Sequence, residues 1–247
     1  MRRRETSCDL ARGASRGARP RRYPHYCRPN LWPTASLPEL QGALKACGSL
    51  MVQVGLLLSA HCDKYVVARG AGEAAGRLRR TIAESRCVRA LPSAHLVAHL
   101  PERSCIKSRL LHYFPADSSA AQGAEGDFAS WCGWHLDHGS LTGLTCGQYC
   151  DASGREVPCP DDTAGLYIRA RDGEVVRATF KPTQLAFQMG QATQIHSGGL
   201  LRATPHCVRA AGGPAAAGVA RNAFAVFMQP NWDVRASKWL SQLTCAC

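Results

Sequence analysis

After about residue 104 the chain reads as a series of short strands, and this pattern restricts the fold more than any other feature. The runs are rich in β-branched, aromatic and aliphatic residues, and Gly, Asp and Pro separate them. They are RLLHYFP, LTGLTC, GLYIRA, EVVRATF, LAFQMG, TQIHSG, LRATPHCVRA and NAFAVFMQ. Asp172-Gly173 predicts a hairpin turn between two of them. Many short strands at near-regular spacing are typical of a sandwich or barrel.

A helical segment precedes the strands. LPELQGALKACGSLMVQVGLLLSAHCDKYV (37–66) repeats apolar residues at helical spacing, and Pro38 suits a first helical turn. Residues 70–89 predict a second helix. We expect the buried stripe of the first helix to be Leu40, Leu44, Leu50, Val54, Leu57 and Leu58. The fold class is therefore α+β with a jelly-roll core. The expected parts are a basic tail (1–29), a helical region (30–104) and a β domain (105–247).

The stretch WHLDHGSLTGL contains a metal-ligand pattern. On an extended strand, side chains two residues apart point to the same face, which would place His135 and Asp137 side by side. An imidazole and a carboxylate are two of the three ligands of an open ferrous site, and the third would be a histidine from a distant strand. The pair alone is a weak signal, because H-x-D triplets arise often by chance. His138 points to the opposite strand face and is not expected to be a ligand.

Two more residues, His206 and Arg221, complete the pattern further along the chain. His206, in LLRATPHCV, follows Asp137 by 69 residues, which is enough to reach a different strand of the same barrel. Arg221, in ARNAFAVFMQP, lies 15 residues later and heads an apolar strand. Its planar guanidinium suits the distal carboxylate of a co-substrate. His196 is the rival third ligand, since it also lies in a predicted strand.

With these residues in place, the chain resembles the plant-type 2-oxoglutarate- and Fe(II)-dependent oxygenases, the family that includes isopenicillin N synthase. The resemblance covers residues 105–235 and includes LLHYFP, GWHLDHGSLTGL, a TQIHSGG–ATPHCV hairpin and a final R-x-A-x-A-V-F strand. It implies a double-stranded β-helix that holds Fe(II) through His135, Asp137 and His206. It further implies that Arg221 pairs with the C5 carboxylate of 2-oxoglutarate. The implied reaction uses O2 to oxidise a C–H bond and releases succinate and CO2.

Two positions depart from the family pattern. Two residues after its arginine the family usually has Ser or Thr, which also bonds the C5 carboxylate, and here that position is Ala223. The tyrosine of the family's N-x-Y motif is replaced by Phe114, and Tyr113 is the remaining candidate, although strand alternation would turn it to the other face. Each lost hydrogen bond costs about 0.5–1.5 kcal/mol, so 2-oxoglutarate would bind roughly one to two orders of magnitude more weakly. His206 is preferred to His196 because it has the family's position before the arginine strand.

The formal charge of +12 is concentrated at the N-terminus. Residues 1–29 carry nine arginines against Glu5 and Asp9, a net charge of +7. A segment this rich in Gly, Ala, Ser and Pro cannot bury enough apolar surface to fold alone, so we expect a disordered tail. An Arg-rich transit peptide for organellar import is the second interpretation. Nucleic-acid binding is the third, and no aromatic interleaving or known module accompanies the charge.

The thirteen cysteines indicate reduced thiols and a cytoplasmic location, because a secreted disulfide scaffold is short and evenly paired. Cys146, Cys150 and Cys159 form C-x3-C-x8-C, but structural zinc needs a fourth ligand, and none lies at a natural spacing. His95 and His99 have the i, i+4 spacing of ligands on one helix face, without an HExxH pattern to support it. No run of about 18 or more uncharged apolar residues predicts a membrane span.

We therefore expect a monomeric dioxygenase that uses Fe(II), 2-oxoglutarate and O2 on a small organic molecule, with ascorbate as a supporting reductant. We expect no nucleic-acid or membrane partner. A catalytically lapsed relative that keeps the barrel for binding or regulation is an alternative, motivated by Ala223 and Phe114. A relative that takes electrons from ascorbate or its substrate, and a nucleic-acid-binding protein led by the tail, are two further hypotheses. The N-terminal helices and the 117–130 loop would select the substrate, which no motif names.

Overall fold

The computed structural model of the chain describes residues 3–9, 31–70, 76–85, 106–116 and 131–230. Within these ranges the helices are α1 (Leu40–Ala68), α2 (Arg77–Ser85) and α3 (Gln191–His196), and Pro214–Ala216 forms a 3-10 turn. The strands of the same ranges are β1 (Arg3–Asp9), β2 (Lys107–Tyr113), β3 (Cys132–His135), β4 (Leu141–Thr145), β5 (Gln148–Cys150), β6 (Glu156–Val157), β7 (Gly165–Arg169), β8 (Val175–Arg177), β9 (Leu185–Met189), β10 (His206–Arg209) and β11 (Ala220–Met228).

The described strands form two sheets. The larger sheet has the order β1-β2-β11-β4-β9, and β5 pairs with both β11 and β6 beside this path. The smaller sheet has the order β3-β10-β7-β8. Each of these pairings is antiparallel. The α+β class, with helices combined with antiparallel sheets, is confirmed.

Strand β11 lies in the middle of the larger sheet and is buried on both of its faces. Side chains alternate along a strand, so successive residues enter different layers. Val226 and Met228 belong to the hydrophobic cluster beneath α1. Arg221, Ala223 and Ala225 line a cavity between the two sheets. The molecule therefore has three layers in this region: α1, the larger sheet and the smaller sheet.

Helix α1 packs on the larger sheet through a stripe that only partly matches the predicted one. The prediction is wrong for Leu50 and Leu57, which are 55% and 67% exposed, whereas Leu44 and Leu58 do pack against the core cluster. A β-carbon at Gly55 would collide with the side chain of Met228, which means that the helix approaches the sheet closely on its small-residue side. The buried positions repeat at helical spacing: Gly48, Met51, Val52, Gly55, Ser59, Cys62, Asp63 and Val66.

Among the described residues, one helix has the length and apolar composition to cross a membrane, and that helix is α1. The sequence criterion missed it because single polar residues such as Gln53 and Ser59 interrupt the apolar run. A helix that packs on a core can have the same composition, and the side of α1 that carries Met51 and Gly55 does pack on the larger sheet.

The second predicted helix is present but shorter, as α2. Its first turn is closed by Asp63 of α1, whose carboxylate accepts hydrogen bonds from the backbone N–H groups of Leu78 and Arg79, both at 2.9 Å. The first N–H groups of a helix have no partner within the helix, and a negative charge also suits the helix dipole. This contact ties the two helices together.

The hairpin turn at Asp172-Gly173 joins β7 and β8 as predicted, with Gly173 in the left-handed region at φ 91°. The TQIHSG segment does not form a strand, and the expected hairpin with ATPHCV is wrong, because residues 191–196 form α3. The backbone N–H of Gln191 donates to the carbonyl of Asp137 at 2.7 Å, which holds the start of this helix against the loop after β3. Here tertiary contacts overrode strand propensity.

Strand β1 pairs with β2 along its whole length. This pairing places β1 at the edge of the larger sheet, next to β2. The expectation of a disordered tail over residues 1–29 stays a prediction. Several expectations concern parts of the chain outside the described residues: those for residues 10–29, the 117–130 loop, His95, His99 and the domain boundaries near residues 30 and 105.

Gly190 should not tolerate a side chain. A β-carbon there would collide with the backbone carbonyl of Gly139 and lie 2.9 Å from the carbonyl oxygen of Asp137. Backbone cannot give way as a flexible side chain can, so we expect Gly190→Ala to lower the free energy of unfolding by about 1–3 kcal/mol, measured by urea unfolding. Gly42→Ala is the control, since nothing lies within 4 Å of its β-carbon, and it should not destabilise the protein. Equal stability of Gly190→Ala and wild type would contradict this close packing.

Candidate metal centre

The structure brings the three predicted ligands together. His135, Asp137 and His206 each offer one ligand atom, and these atoms lie within 4.8 Å of one another. Nε2 of His135 is 3.9 Å from Oδ1 of Asp137, and Nε2 of His206 is 3.9 Å from Oδ2. Two atoms bound to one ion at about 2.1 Å lie at most about 4.2 Å apart, so the 3.9 Å separations fit a shared ion. A contraction of at most about 0.6 Å brings the whole group within that limit.

Strand pairing places the two histidines. His135 ends β3 and His206 begins β10, and the two residues are direct cross-strand partners. Side chains directly opposite each other in an antiparallel pair have Cβ atoms about 4.5–5.5 Å apart. The centroids of the two imidazole rings are accordingly 4.1 Å apart. The register between β3 and β10 therefore sets the distance between these two ligands.

The H-x-D pattern predicts that Asp137 lies on the same strand as His135, and this prediction is wrong. Strand β3 ends at His135, and Asp137 belongs to the loop that leads into β4. The carbonyl of Asp137 accepts a hydrogen bond from the N–H of Gln191, and the N–H of Ser140 donates to the carbonyl of Met228 at 2.8 Å. These bonds tie the loop to two other segments. The loop, rather than strand alternation, holds the carboxylate beside the histidines.

Backbone carbonyls orient both imidazoles in the same way. Nδ1 of His135 lies 2.7 Å from the carbonyl oxygen of Gly133, and Nδ1 of His206 lies 2.9 Å from that of Thr204. A carbonyl can only accept, so in the neutral ring each Nδ1 carries the proton and each Nε2 directs its lone pair towards Asp137. This is the tautomer that a metal-ligating histidine needs, and a backbone carbonyl is a usual partner for its other nitrogen.

Two side chains that the sequence did not predict hold the carboxylate of Asp137. Its Oδ2 accepts hydrogen bonds from Oγ1 of Thr142 at 2.6 Å and Nε2 of Gln188 at 2.7 Å. Thr142 and Gln188 are cross-strand partners in β4 and β9, so neighbouring strands aim both donors at one oxygen. In the described part of the chain no hydrogen bond to Oδ1 occurs, and this oxygen faces His135. A lone polar residue inside the apolar run LAFQM was the available sequence signal for Gln188.

The two histidines differ in how the protein affects their protonation. The hydrogen bond with the Cys132 thiol raises the pKa of His135 to about 9, against the opposing effect of burial. Burial lowers the pKa of His206 below its usual value, against the opposing effects of the Thr204 carbonyl and Asp137. A metal ion and a proton compete for the same nitrogen, so an ion that binds at neutral pH must displace a proton from His135.

Arg221 lines the same cavity as the three ligands, a space of about 60 Å³ between the sheets. Its side chain is buried, with 7% exposure, and its Nε has no hydrogen-bond partner among the described residues. The guanidinium packs against the backbone of Gly147, where a β-carbon would lie 2.7 Å from Nη2. No carboxylate of the described residues forms an ion pair with it. Tyr149 hydrogen-bonds to the guanidinium, but a hydroxyl does not balance its charge. A buried guanidinium without a carboxylate partner is costly, so this position suits the binding of an anion.

Tyr113 faces the cavity, so the expectation that strand alternation turns it away is wrong. Tyr113 of β2 is the cross-strand partner of Arg221, and the centre of its ring is 5.4 Å from Cζ of the arginine. Phe114 lies beyond the end of β2 and is 38% exposed. Ala223 is buried in the cavity wall. The cavity therefore contains a tyrosine beside the arginine and no hydroxyl at position 223.

The remaining histidine and cysteine candidates do not join this group. His138 is exposed, and its Nδ1 contacts Oε1 of Gln191. His196 lies in α3 and is buried. Neither histidine belongs to a possible metal group, and the cysteines of C-x3-C-x8-C form none within the described ranges. The zinc alternative for these cysteines therefore has no structural support.

Thr142→Val should destabilise the metal-free protein, because it keeps the shape of the side chain and leaves the buried Asp137 with one hydrogen-bond donor fewer. Hydrogen bonds to charged groups contribute about 1.5–3 kcal/mol, and we expect a loss of this size in the free energy of unfolding by urea. Thr179→Val is the matched control, since Thr179 is exposed and should change stability by less than about 0.5 kcal/mol. Similar stabilities for both variants would show that this hydrogen bond does not stabilise the fold.

Comparison with known proteins shows which solved structures have a similar fold. No protein-family model and no curated protein matches the chain. A Caulobacter crescentus structure, provisionally described as a 2OG-Fe(II) oxygenase family protein, matches 97% of this chain and 67% of its own, with 18% identity and a TM-score of 0.53. A full-length Neurospora crassa protein in complex with alpha-KG matches 52% of this chain, with 24% identity and a TM-score of 0.40. An Arabidopsis thaliana dioxygenase for auxin oxidation, in complex with 2-oxoglutarate, matches 52%, with 19% identity and a TM-score of 0.38.

This chain spans 35% of the length of the Neurospora protein and 40% of that of the Arabidopsis protein. The match to the Caulobacter protein extends over nearly the whole chain, and at its level of identity it establishes the fold. The chain has the fold of the 2-oxoglutarate/Fe(II) oxygenase superfamily, which its WHLDHGSLTGL and ATPHCV motifs predicted.

Proposed function

We propose that the chain is a non-haem Fe(II)- and 2-oxoglutarate-dependent dioxygenase that oxidises a C–H bond of a small organic molecule and releases succinate and CO2. One observation carries the proposal: a His-Asp-His group and a buried, unpaired arginine line the same cavity. In this proposal the two facing sheets are the halves of a double-stranded β-helix. The substrate enters between the sheets, where the ligands and the arginine lie.

The chemistry of the donors fits a ferrous ion. Nε2 of His135, Nε2 of His206 and Oδ1 of Asp137 would hold it, since both imidazoles present lone pairs and Oδ1 has no hydrogen bond among the described residues. Two imidazoles and one carboxylate are the ligand set of non-haem Fe(II) oxygenases, and they leave positions free for further ligands. When bound, the ion supplies the redox chemistry and a place for the 2-oxo acid and O2.

The co-substrate explains the unpaired arginine. 2-Oxoglutarate has a 2-oxo acid at one end and a second carboxylate at the other, and Arg221 would bind that second carboxylate in a bidentate manner. Tyr113 and Tyr149 lie beside Arg221 on the strands paired with β11. Apolar side chains of the wall, including Leu111, Leu144 and Leu166, keep water out and strengthen this charge pairing. A neighbouring cavity of about 300 Å³ also reaches Arg221.

A catalytically lapsed binding protein is the second candidate, and the absence of a hydroxyl at Ala223 favours it. In the dioxygenase, Arg221 and the tyrosine beside it must hold the distal carboxylate without that hydroxyl. A lapsed relative would keep the fold and lose the binding of metal or co-substrate. Measurement of these two binding steps separates the candidates.

The same proposal includes further expectations. They are a small organic substrate, a supporting role for ascorbate, a monomeric state, a cytoplasmic or organellar location, and the absence of nucleic-acid and membrane partners. A screen that measures substrate-dependent release of succinate would identify the substrate. Deletion of residues 1–29 with unchanged nucleic-acid binding would dispose of a function led by the basic tail.

Anaerobic addition of Fe(II) and 2-oxoglutarate should produce the visible metal-to-ligand charge-transfer band of a chelated 2-oxo acid. His206→Ala and Asp137→Ala should each abolish the band and metal binding, because each removes one of three ligands. His138→Ala is the matched control, since this exposed histidine lies outside the ligand group, and it should keep the band. No band from the wild-type protein would disprove the co-substrate assignment.

Arg221→Ala should keep Fe(II) and weaken the binding of 2-oxoglutarate by roughly 10- to 100-fold, because the distal carboxylate loses a charged hydrogen-bond partner. Titration of the charge-transfer band with 2-oxoglutarate measures the dissociation constant. Arg221→Lys keeps the charge without the planar fork and should recover part of the affinity. An unchanged dissociation constant in Arg221→Ala would show that the arginine has another role.

A further inference from the structure

A second, larger cavity adjoins the metal cavity at Arg221. It has a volume of about 300 Å³ and is lined by β5, β6, the start of β7 and the segment that follows β8. Arg221, Leu166 and Phe180 line both cavities, so these three residues form the boundary between them. Ligand pockets in proteins commonly have volumes of about 300–1,000 Å³, so the larger cavity has room for a small organic molecule.

The larger cavity has an excess of positive charge. Two arginines line it: Arg221, which is buried, and Arg177 of β8, which is exposed. Glu156 is the one carboxylate among the described residues that line the cavity, and its Oε2 accepts a hydrogen bond from Nε2 of Gln148 at 2.8 Å. Within the described ranges no ion pair joins Glu156 to an arginine. The cavity therefore attracts anions.

The guanidinium of Arg221 has a donor without an acceptor on this side. Its Nε has no hydrogen-bond partner among the described residues and lies against Gly147, where a β-carbon would collide with it. Gly147 lines the larger cavity and is not part of the wall of the metal cavity. A buried charged donor without an acceptor is unfavourable. An anion in the larger cavity would supply the missing acceptor.

The hydroxyl of Tyr149 is a second donor without a strong acceptor. Tyr149 of β5 is the cross-strand partner of Arg221, and its hydroxyl hydrogen-bonds to that guanidinium and to the Cys159 thiol. The thiol donates its proton to the carbonyl of Asp161 at 3.2 Å, so towards Tyr149 its sulfur can only accept. The tyrosine O–H therefore donates to sulfur, which is a weak acceptor. Burial raises the pKa of Tyr149, so the hydroxyl keeps this proton at neutral pH.

We propose that the larger cavity binds a small organic anion through its phosphate or carboxylate group, with Arg221, Tyr149 and Arg177 as the binding residues. An oxyanion is a stronger acceptor than a thiol sulfur, so the O–H of Tyr149 turns towards it, and Nε of Arg221 gains its missing partner. Arg177 adds a second positive charge at the exposed part of the wall. The site needs no metal ion.

An anion at this site would oppose the binding of 2-oxoglutarate, and this consequence rests on the proposed function. Both anions bind next to the guanidinium of Arg221, and two negative charges close together repel each other. The larger cavity would thus regulate the enzyme through the affinity for its co-substrate.

Titration of the full, metal-free chain with sulfate, and separately with acetate, tests the proposal by calorimetry at constant ionic strength. Sulfate is a tetrahedral dianion like phosphate and does not precipitate Fe(II). We expect at least one of the two anions to bind with a dissociation constant of about 10 mM or lower. Arg177→Ala and Tyr149→Phe should each weaken this binding about three- to tenfold, because each removes one partner of the anion. Arg169→Ala is the matched control, since Arg169 is an exposed arginine of the neighbouring strand β7 that does not line the cavity, and it should bind like the wild type.

The absence of binding of both anions by the wild type, or equal affinities of the wild type and Arg177→Ala, would overturn the proposal. With Fe(II) present, the anion that binds should raise the apparent dissociation constant of 2-oxoglutarate about three- to tenfold in the wild type and less in Arg177→Ala. An anion that binds without this effect would overturn the regulatory role. The absence of the charge-transfer band would overturn the proposed function and leave the anion site standing, which distinguishes the two failures.

Discussion

The antiparallel pairing of β3 with β10 is the interaction on which the rest of the site depends. It joins segments that are far apart in the chain and sets His135 directly opposite His206. A shift of one residue would turn one imidazole to the opposite face of the sheet, because side chains alternate with a period of two. The carbonyls of Gly133 and Thr204, each two residues before a histidine, then fix the rings. Backbone geometry therefore prepares two lone pairs by hydrogen bonds that need no further side chain.

The carboxylate and the arginine come from the larger sheet and its loops. Asp137 is held by donors from β4 and β9, and Arg221 belongs to the central strand β11. The same β11 buries Val226 and Met228 under α1, so the packing of helix on sheet positions the arginine. Fold and site are connected through this strand, because the residues that pack under α1 and the arginine of the cavity share one backbone segment.

The charges in the cavity are complementary to a molecule with two anionic ends. The negative carboxylate of Asp137 lies beside two imidazoles, and together these three groups attract a cation. That cation can bind one anionic group. The buried guanidinium of Arg221 lacks an ion-pair partner among the described residues and suits the second anionic group. Apolar walls lower the local dielectric and make both attractions stronger than in water. Gln188 meanwhile satisfies Asp137 and His206 with its N–H groups, while its own oxygen is left without a partner in the described structure.

The sequence by itself determined the α+β class, most strands, the hairpin at Asp172-Gly173, and the residue types of the site. These features follow from local alternation, turn chemistry and ligand chemistry, which need only neighbouring residues. The tertiary structure decided which distant segments contact one another and which side chains those contacts bury. It turned TQIHSG into a helix, buried Gly55 rather than Leu57, turned Tyr113 inward through its pairing with Arg221, and placed Gln188 at the ligands. Contacts between distant segments are set by register and packing, and single-sequence periodicity does not carry that information.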